Sequence, residues 1–207
     1  MSATSYVQGQ AGRLEVRLIE AQTQPSQNLA VICHPHPLFG GTMDNKVVTT
    51  LMRTFKEQGM ACVSFNFRGV GHSEGQHDNG QGEVDDLLSV LTWAIEQTQA
   101  TQLYLAGFSF GSYIAAASVA RLTSVNIHLK KLVLVAPPVH HYAFNALTLP
   151  IQQTLVIQGD ADEVVPAAQV FAWAAQQQLL IVNFAGCGHF FHGRLVELRQ
   201  TLLENLV

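Results

Sequence analysis

The chain has 207 residues, of which 48% are apolar and only 13% charged, and 11 basic and 15 acidic side chains leave a formal net charge of −4. The length points to one domain over 1–207, and high apolar content with little charge excludes intrinsic disorder. No apolar stretch approaches the roughly 20 residues of a membrane helix, and no basic cluster exists beyond Lys130-Lys131, which argues against membrane and nucleic-acid partners.

A charged fraction about half the ordinary level suits strands buried on both faces, which read as near-continuous apolar runs. The opening MSATSYVQGQ has no charged segment followed by an apolar one, so no signal peptide is visible. Cys33, Cys62 and Cys187 show no CxxC or zinc-like spacing and lie in or beside apolar runs. They read as buried reduced thiols in a cytoplasmic setting.

In chain order, residues 14–18 alternate with period two, which predicts a half-exposed strand. A polar turn over 21–27 leads into the continuous apolar run 29–33, expected to be a buried strand. Val47, Val48, Leu51, Met52 and Phe55 recur at helical spacing, with Thr42 as the expected N-cap and Gly59 just past the end. Residues 61–67 read as a strand, and Val84, Leu87, Leu88, Leu91 and Ile95 mark a second amphipathic helix. A short strand at 103–106 precedes a small-residue helix over 110–122. Buried strands at 132–135 and 154–157, a helix at 167–177, a strand at 179–182 and a closing helix at 193–206 complete the chain. Such alternation implies βαβ crossovers, hence an α/β fold with a mostly parallel sheet and helices on both faces. Ligands bind these sheets outside the C-terminal strand ends, and the chemically informative residues all follow strands.

Gly107-Phe108-Ser109-Phe110-Gly111 is a G-x-S-x-G pattern between a strand and a helix. A serine on so sharp a turn takes a strained backbone conformation, and its neighbours two residues away must be tiny. The turn lifts Oγ clear of the sheet, and the helix aims amide N–H groups and its positive dipole end at the site. Ser109 is therefore the candidate nucleophile. It needs a base, and the base an orienting carboxylate, in the chain order Ser, acid, His. The loop 158–166 offers Asp160, Asp162 and Glu163. The loop 183–190 offers His189, where Gly186 and Gly188 permit a sharp turn over the serine; His192 falls at the start of the last helix. An oxyanion would take the Phe110 N–H and a second donor from the loop 34–41. Pro35 and Pro37 carry no N–H, which leaves His36, Leu38 and Phe39.

Two competing readings fail on spacing. The glycine-rich stretch 68–75 is followed by neither G-K-[ST] nor G-x-G-x-x-G, so nucleotide binding is not indicated. His34, His36 and His72 lack an i,i+4 pair on a helix and an acidic companion at ligand spacing. No cofactor and no metal are expected.

Residues 34–48 (His-Pro-His-Pro-Leu-Phe-Gly-Gly-Thr-Met-Asp-Asn-Lys-Val-Val), 65–75 (Phe-Asn-Phe-Arg-Gly-Val-Gly-His-Ser-Glu-Gly) and the G-x-S-x-G together resemble a compact bacterial subgroup of the α/β-hydrolase superfamily. That subgroup is related to dienelactone hydrolases and to the catalytic domain of Xaa-Pro dipeptidyl-peptidase-like enzymes, and the resemblance runs from about Leu29 to Leu203. It implies an eight-stranded fold with Ser109, Asp162 and His189 as the triad. Asp162 stands three residues after Gly159, as in the G-x-x-D-x-x-V-P loop of many such hydrolases, leaving Asp160 as a turn-former. The resemblance favours His36 as the second oxyanion donor, because His34-Pro35 aligns with the usual His-Gly pair. It also makes 68–75 a structural turn in which Arg68 holds neighbouring loops. Dienelactone hydrolases use a cysteine nucleophile, whereas this chain has Ser109.

Many relatives insert a lid after the strand corresponding to 132–135, but 136–153 is too short for a cap domain. An open cleft is expected, rimmed by Pro137, Pro138, Val139, Tyr142, Phe144, Leu38 and Phe39. The expected function is hydrolysis of small-molecule carboxylic esters with small or flexible acyl groups. A thioesterase or serine peptidase-like activity is the alternative, with no acidic anchor for a peptide amine and no basic patch for a coenzyme A phosphate to favour it. A non-catalytic binding protein would show a broken triad, and every triad position is filled.

Overall fold

The computed structural model describes residues 4–21 and 27–206. Its strands are β1 Thr4–Gly9, β2 Gly12–Ile19, β3 Asn28–Cys33, β4 Ala61–Phe65, β5 Gln102–Phe108, β6 His128–Val135, β7 Thr154–Gly159 and β8 Leu180–Phe184. The helices are α1 Lys46–Glu57, α2 Gln81–Thr98, α3 Phe110–Ser118, α4 Ala167–Gln176 and α5 Leu195–Glu204. The eight strands form one sheet in the order β1-β2-β4-β3-β5-β6-β7-β8. β2 pairs antiparallel with β1 and β4, and every other neighbour pair is parallel. The polar turn expected over 21–27 lies outside the described residues for 22–26.

Alternation along the central strands separates two cores. Leu29, Val31, Leu103, Leu105, Leu132, Leu134 and Val156 face α2, α3 and α4. Ala30, Ile32, Ala106, Val133, Leu155 and Ile157 face α1 and α5. A strand covered on both sides has no polar face, and this accounts for the scarcity of charge. The connection from β6 to β7 contains only the short 3₁₀ turns Phe144–Ala146 and Ile151–Gln153, so no cap covers the strand ends. No helix among the described residues is long and apolar enough to cross a membrane.

Several boundaries differ from the sequence expectation for local reasons. The cap of α1 is Asn45, whose Oδ1 accepts the Val47 N–H at 2.9 Å; Thr42 Oγ1 instead accepts from Asp44 N. β4 stops at Phe65 because Asn66 N turns to Glu15 O and Phe67 N donates to His34 Nε2. The helix expected to run to 122 narrows to a 3₁₀ segment at Val119–Val125. The last helix starts at Leu195, since Phe191 and Gly193 sit at φ 53° and 73°, outside helical space. β8 begins one residue later than expected and runs on to Phe184, at the edge of the sheet with Leu180 exposed. β1 was not expected from sequence; it is a short strand with few apolar residues that gains its place by pairing with β2.

Candidate active site

β5 delivers the chain to Ser109, and α3 begins at the next residue. Ser109 has φ 53° and ψ −122°, a conformation costing about 1–3 kcal/mol. Its surroundings hold it there: Ser109 N donates to Val135 O at 2.8 Å, and Ser112 Oγ donates to Ser109 O at 2.6 Å. Both flanking glycines are required by close approach. A Cβ on Gly107 would lie 2.1 Å from Gly111 O, and one on Gly111 would lie 2.3 Å from Cys33 O.

Over this turn the loop after β8 places His189, with Nε2 3.1 Å from Ser109 Oγ and Nδ1 2.8 Å from Asp162 Oδ2. The Asp162 side chain is fully buried. Burial alone would raise its pKa, but His189 and the N–H groups of Val165 and Val164, at 2.7 and 2.8 Å, together hold the carboxyl below its usual range. Gln158 Nε2 donates to Oδ2 at 3.0 Å. Asp160 points elsewhere, accepting from Gly186 N at 2.6 Å and from Asn183 Nδ2 at 3.3 Å. Glu163 Oε2 accepts the backbone N–H of His189 at 3.1 Å. The three acids of one loop therefore divide: one meets the imidazole, and two anchor the loop that carries it. His192 is exposed, its ring 5.8 Å from that of Phe190.

The loop after β3 carries the prospective oxyanion donor. Leu38 N donates to His36 Nδ1 at 3.2 Å, Phe39 N and Gly41 N donate to His36 O, and Gly40 N donates to Pro37 O. The N–H groups of His36 and Phe110 have no protein acceptor among the described residues. Of the three candidates open on sequence grounds, His36 alone keeps its N–H available. His34 beneath is buried between two backbone groups, with Nδ1 2.6 Å from Pro35 O and Nε2 accepting from Phe67 N at 3.0 Å. Burial pushes its pKa down to about 4.

Residues 32–153 match the family described as alpha/beta hydrolase fold. The chain belongs to the α/β-hydrolase family. XC6422 from Xanthomonas campestris, described as a member of a/b serine hydrolase without lid, is 39% identical, with a TM-score of 0.91 over 99% of this chain and 93% of that one. An alpha-beta serine hydrolase homologue from Coxiella burnetii is 45% identical, with a TM-score of 0.89 over 99% and 97% of the respective chains. Uncharacterized protein RP471 of Rickettsia prowazekii is 35% identical over 213 residues, covering 98% of this chain and 87% of that one. The protein is thus a hydrolase of the α/β serine hydrolase type.

The hydrolase's cleft differs in part from the expected rim. Phe39 and Tyr142 line it together with Pro138. Phe144 does not: it is 1% exposed, packed between Tyr113 and Trp173 at ring-centroid distances of 5.5 and 5.2 Å, because the 3₁₀ turn directs it inward to the core. Leu38 is also misplaced, since it borders an adjacent groove with Arg68 and His77. Val164, Phe190, His140 and His141 take their places at the cleft. Phe190 and Val164 were legible as neighbours of His189 and Asp162, but no pattern marked them.

Sequence reasoning also missed His77 and Glu83. Glu83 is completely buried at the start of α2, accepting Asp78 N and Gly80 N at 2.8 Å each. His77 Nδ1 lies 2.7 Å from Glu83 Oε1, off the ring's N–H direction. The His77 ring packs on the rings of His36 and Phe110 at 4.9 and 5.4 Å, the two residues whose N–H groups are the prospective oxyanion donors. Arg68, in the glycine-rich turn, bonds Asp86 through Nε and Nη2 and donates to Gly82 O. A Cβ at Gly82 would fall 1.9 Å from the guanidinium, so that glycine admits the arginine.

Proposed function

We propose that this hydrolase cleaves carboxylic esters through an acyl-enzyme formed on Ser109. The observation that carries the reading is the continuous Ser109–His189–Asp162 hydrogen-bond chain at a strained strand-to-helix turn. Asp162 accepts from Nδ1–H, which leaves Nε2 as the acceptor that faces Ser109. His189 takes the Ser109 proton as Oγ attacks the ester carbonyl, and the carbonyl electrons move onto oxygen. The N–H groups of Phe110 and His36 stabilise that oxyanion. The intermediate collapses, and His189 returns its proton to the departing alcohol. Water then attacks the acyl-enzyme with His189 again as base, releasing the acid and restoring Ser109. None of these steps requires a cofactor.

The test is labelling with a fluorophosphonate probe beside turnover of p-nitrophenyl acetate. Wild type should label and turn over, and Ser109→Ala should do neither. Turnover that survives Ser109→Ala overturns the assignment.

A further inference from the structure

The cleft is two cavities meeting at Ser109, and they differ in size and in lining. One, of about 430 Å³, is bounded by His189, Phe190, Pro35 and Asn45. The other, of about 160 Å³, is bounded by Phe110, Pro138, His141 and Tyr142 and does not touch His189. His36, Phe39 and Val164 border both.

Proton delivery decides which part of an ester enters which cavity. A general acid must come within hydrogen-bond reach of the leaving oxygen. The alcohol portion therefore lies on the side of His189 Nε2. The carbonyl oxygen is drawn toward the N–H groups of Phe110 and His36, so the remaining substituent, the acyl chain, points into the cavity without His189. We infer that the hydrolase selects esters that join a short acyl group to a larger, apolar alcohol. This inference rests on the acyl-enzyme reading above and adds substrate class to it.

The sizes set the limits. An engineered protein cavity of about 150 Å³ holds one benzene molecule, so the acyl cavity, which is open to solvent at its mouth, covers a group of about six carbons. Tyr142 bounds that cavity and is fixed by stacking on Tyr113 at 4.6 Å and by contact with Phe110 at 5.5 Å. Phe190, which lines only the larger cavity, remains 42% exposed beside Phe39 and Val164, the two exposed apolar side chains shared by both. Apolar side chains left in water around one cavity lose that exposure when an apolar alcohol covers them.

The experiment compares octyl acetate with ethyl octanoate, isomers that share the ester bond and an alkoxide leaving group and exchange only which side is long. Fluorophosphonate labelling of Ser109 is run in parallel. The expected result is labelling, with kcat/KM for octyl acetate at least about tenfold above that for ethyl octanoate. Tyr142→Ala should reduce that ratio by raising the octanoate rate. Equal rates, or a preference for ethyl octanoate, in a protein that labels would overturn the inference while leaving the serine-hydrolase reading intact. Absence of labelling together with absence of turnover would overturn both.

Discussion

Replacing Asp162 by asparagine tests the site through a single atom. Asp162 Oδ1 accepts from Val164 N and Val165 N, while Oδ2 faces His189 Nδ1 at 2.8 Å and Gln158 Nε2 at 3.0 Å. In Asp162→Asn the carbonyl oxygen stays with the two backbone donors, so the NH2 group replaces Oδ2. A donor now faces Nδ1, and the imidazole must put its proton on Nε2. There it meets Ser109 Oγ at 3.1 Å as a donor and cannot accept the hydroxyl proton. The expected loss is about 10³- to 10⁴-fold in kcat, or about 4–5 kcal/mol of barrier, with KM little changed. The NH2 group of the introduced amide, set against that of Gln158, should also lower stability by about 1–2 kcal/mol. Asp160→Asn is the control, since among the described residues the Asp160 carboxylate accepts only from Gly186 N and Asn183 Nδ2; its kcat should stay within about threefold of wild type. Stopped-flow turnover of p-nitrophenyl acetate and urea midpoints measure both. A kcat retained within about tenfold in Asp162→Asn, or greater damage from Asp160→Asn, would refute the role given to Asp162.

Gly111→Ala should cost about 3 kcal/mol or more, because its Cβ would collide with Cys33 O at 2.3 Å. Gly186→Ala meets nothing within 4 Å and bears only the strain of φ 66°, about 1 kcal/mol, so urea midpoints should rank the two. His34 also makes stability depend on pH. The unfolded imidazole binds a proton near its ordinary pKa of about 6.5, while the folded one does so only near about 4. The unfolded state therefore holds more protons in that window, and stability is complete above it and falls as pH drops through it, by about 3 kcal/mol in all. His34→Gln should flatten a urea-midpoint series between these limits. Glu83→Gln should lower the thermal midpoint, since one of the N–H groups of Asp78 and Gly80, each 2.8 Å from the carboxylate, loses its acceptor at a cost of about 1–3 kcal/mol. Its kcat/KM should fall as well, because His77 packs on the rings of His36 and Phe110.

Some features were legible because their causes are local. The alternation that divides Leu29 and Val31 from Ala30 and Ile32 is the period of the strand itself. Val47 to Phe55 announced α1 by helical spacing, and five residues around Ser109 contain the whole elbow. Phe144 misled because its apolar character is equally suited to a cleft rim and to a core. Only the turn Phe144–Ala146 directs it between Tyr113 and Trp173. Thr42 and Asn45 are both good caps, and the start of α1 at Lys46 selects Asn45.

By itself, then, the sequence determined a sheet buried on both faces, an elbow serine, and a chain too short between β6 and β7 for a cap. Tertiary structure decided what depends on distant segments meeting. His189 reaches Ser109 across 80 residues and Asp162 across 27. Asp160, Asp162 and Glu163 are chemically alike, and only the course of the loop after β8 gives one the imidazole and the others backbone N–H groups. The His36 N–H is available because its neighbours in the loop found acceptors, and the two cavities differ because Phe110, Pro138 and Tyr142 wall one while Pro35, His189 and Phe190 wall the other. Local propensity acts within a few residues, whereas a site's shape comes from loops brought together by a sheet.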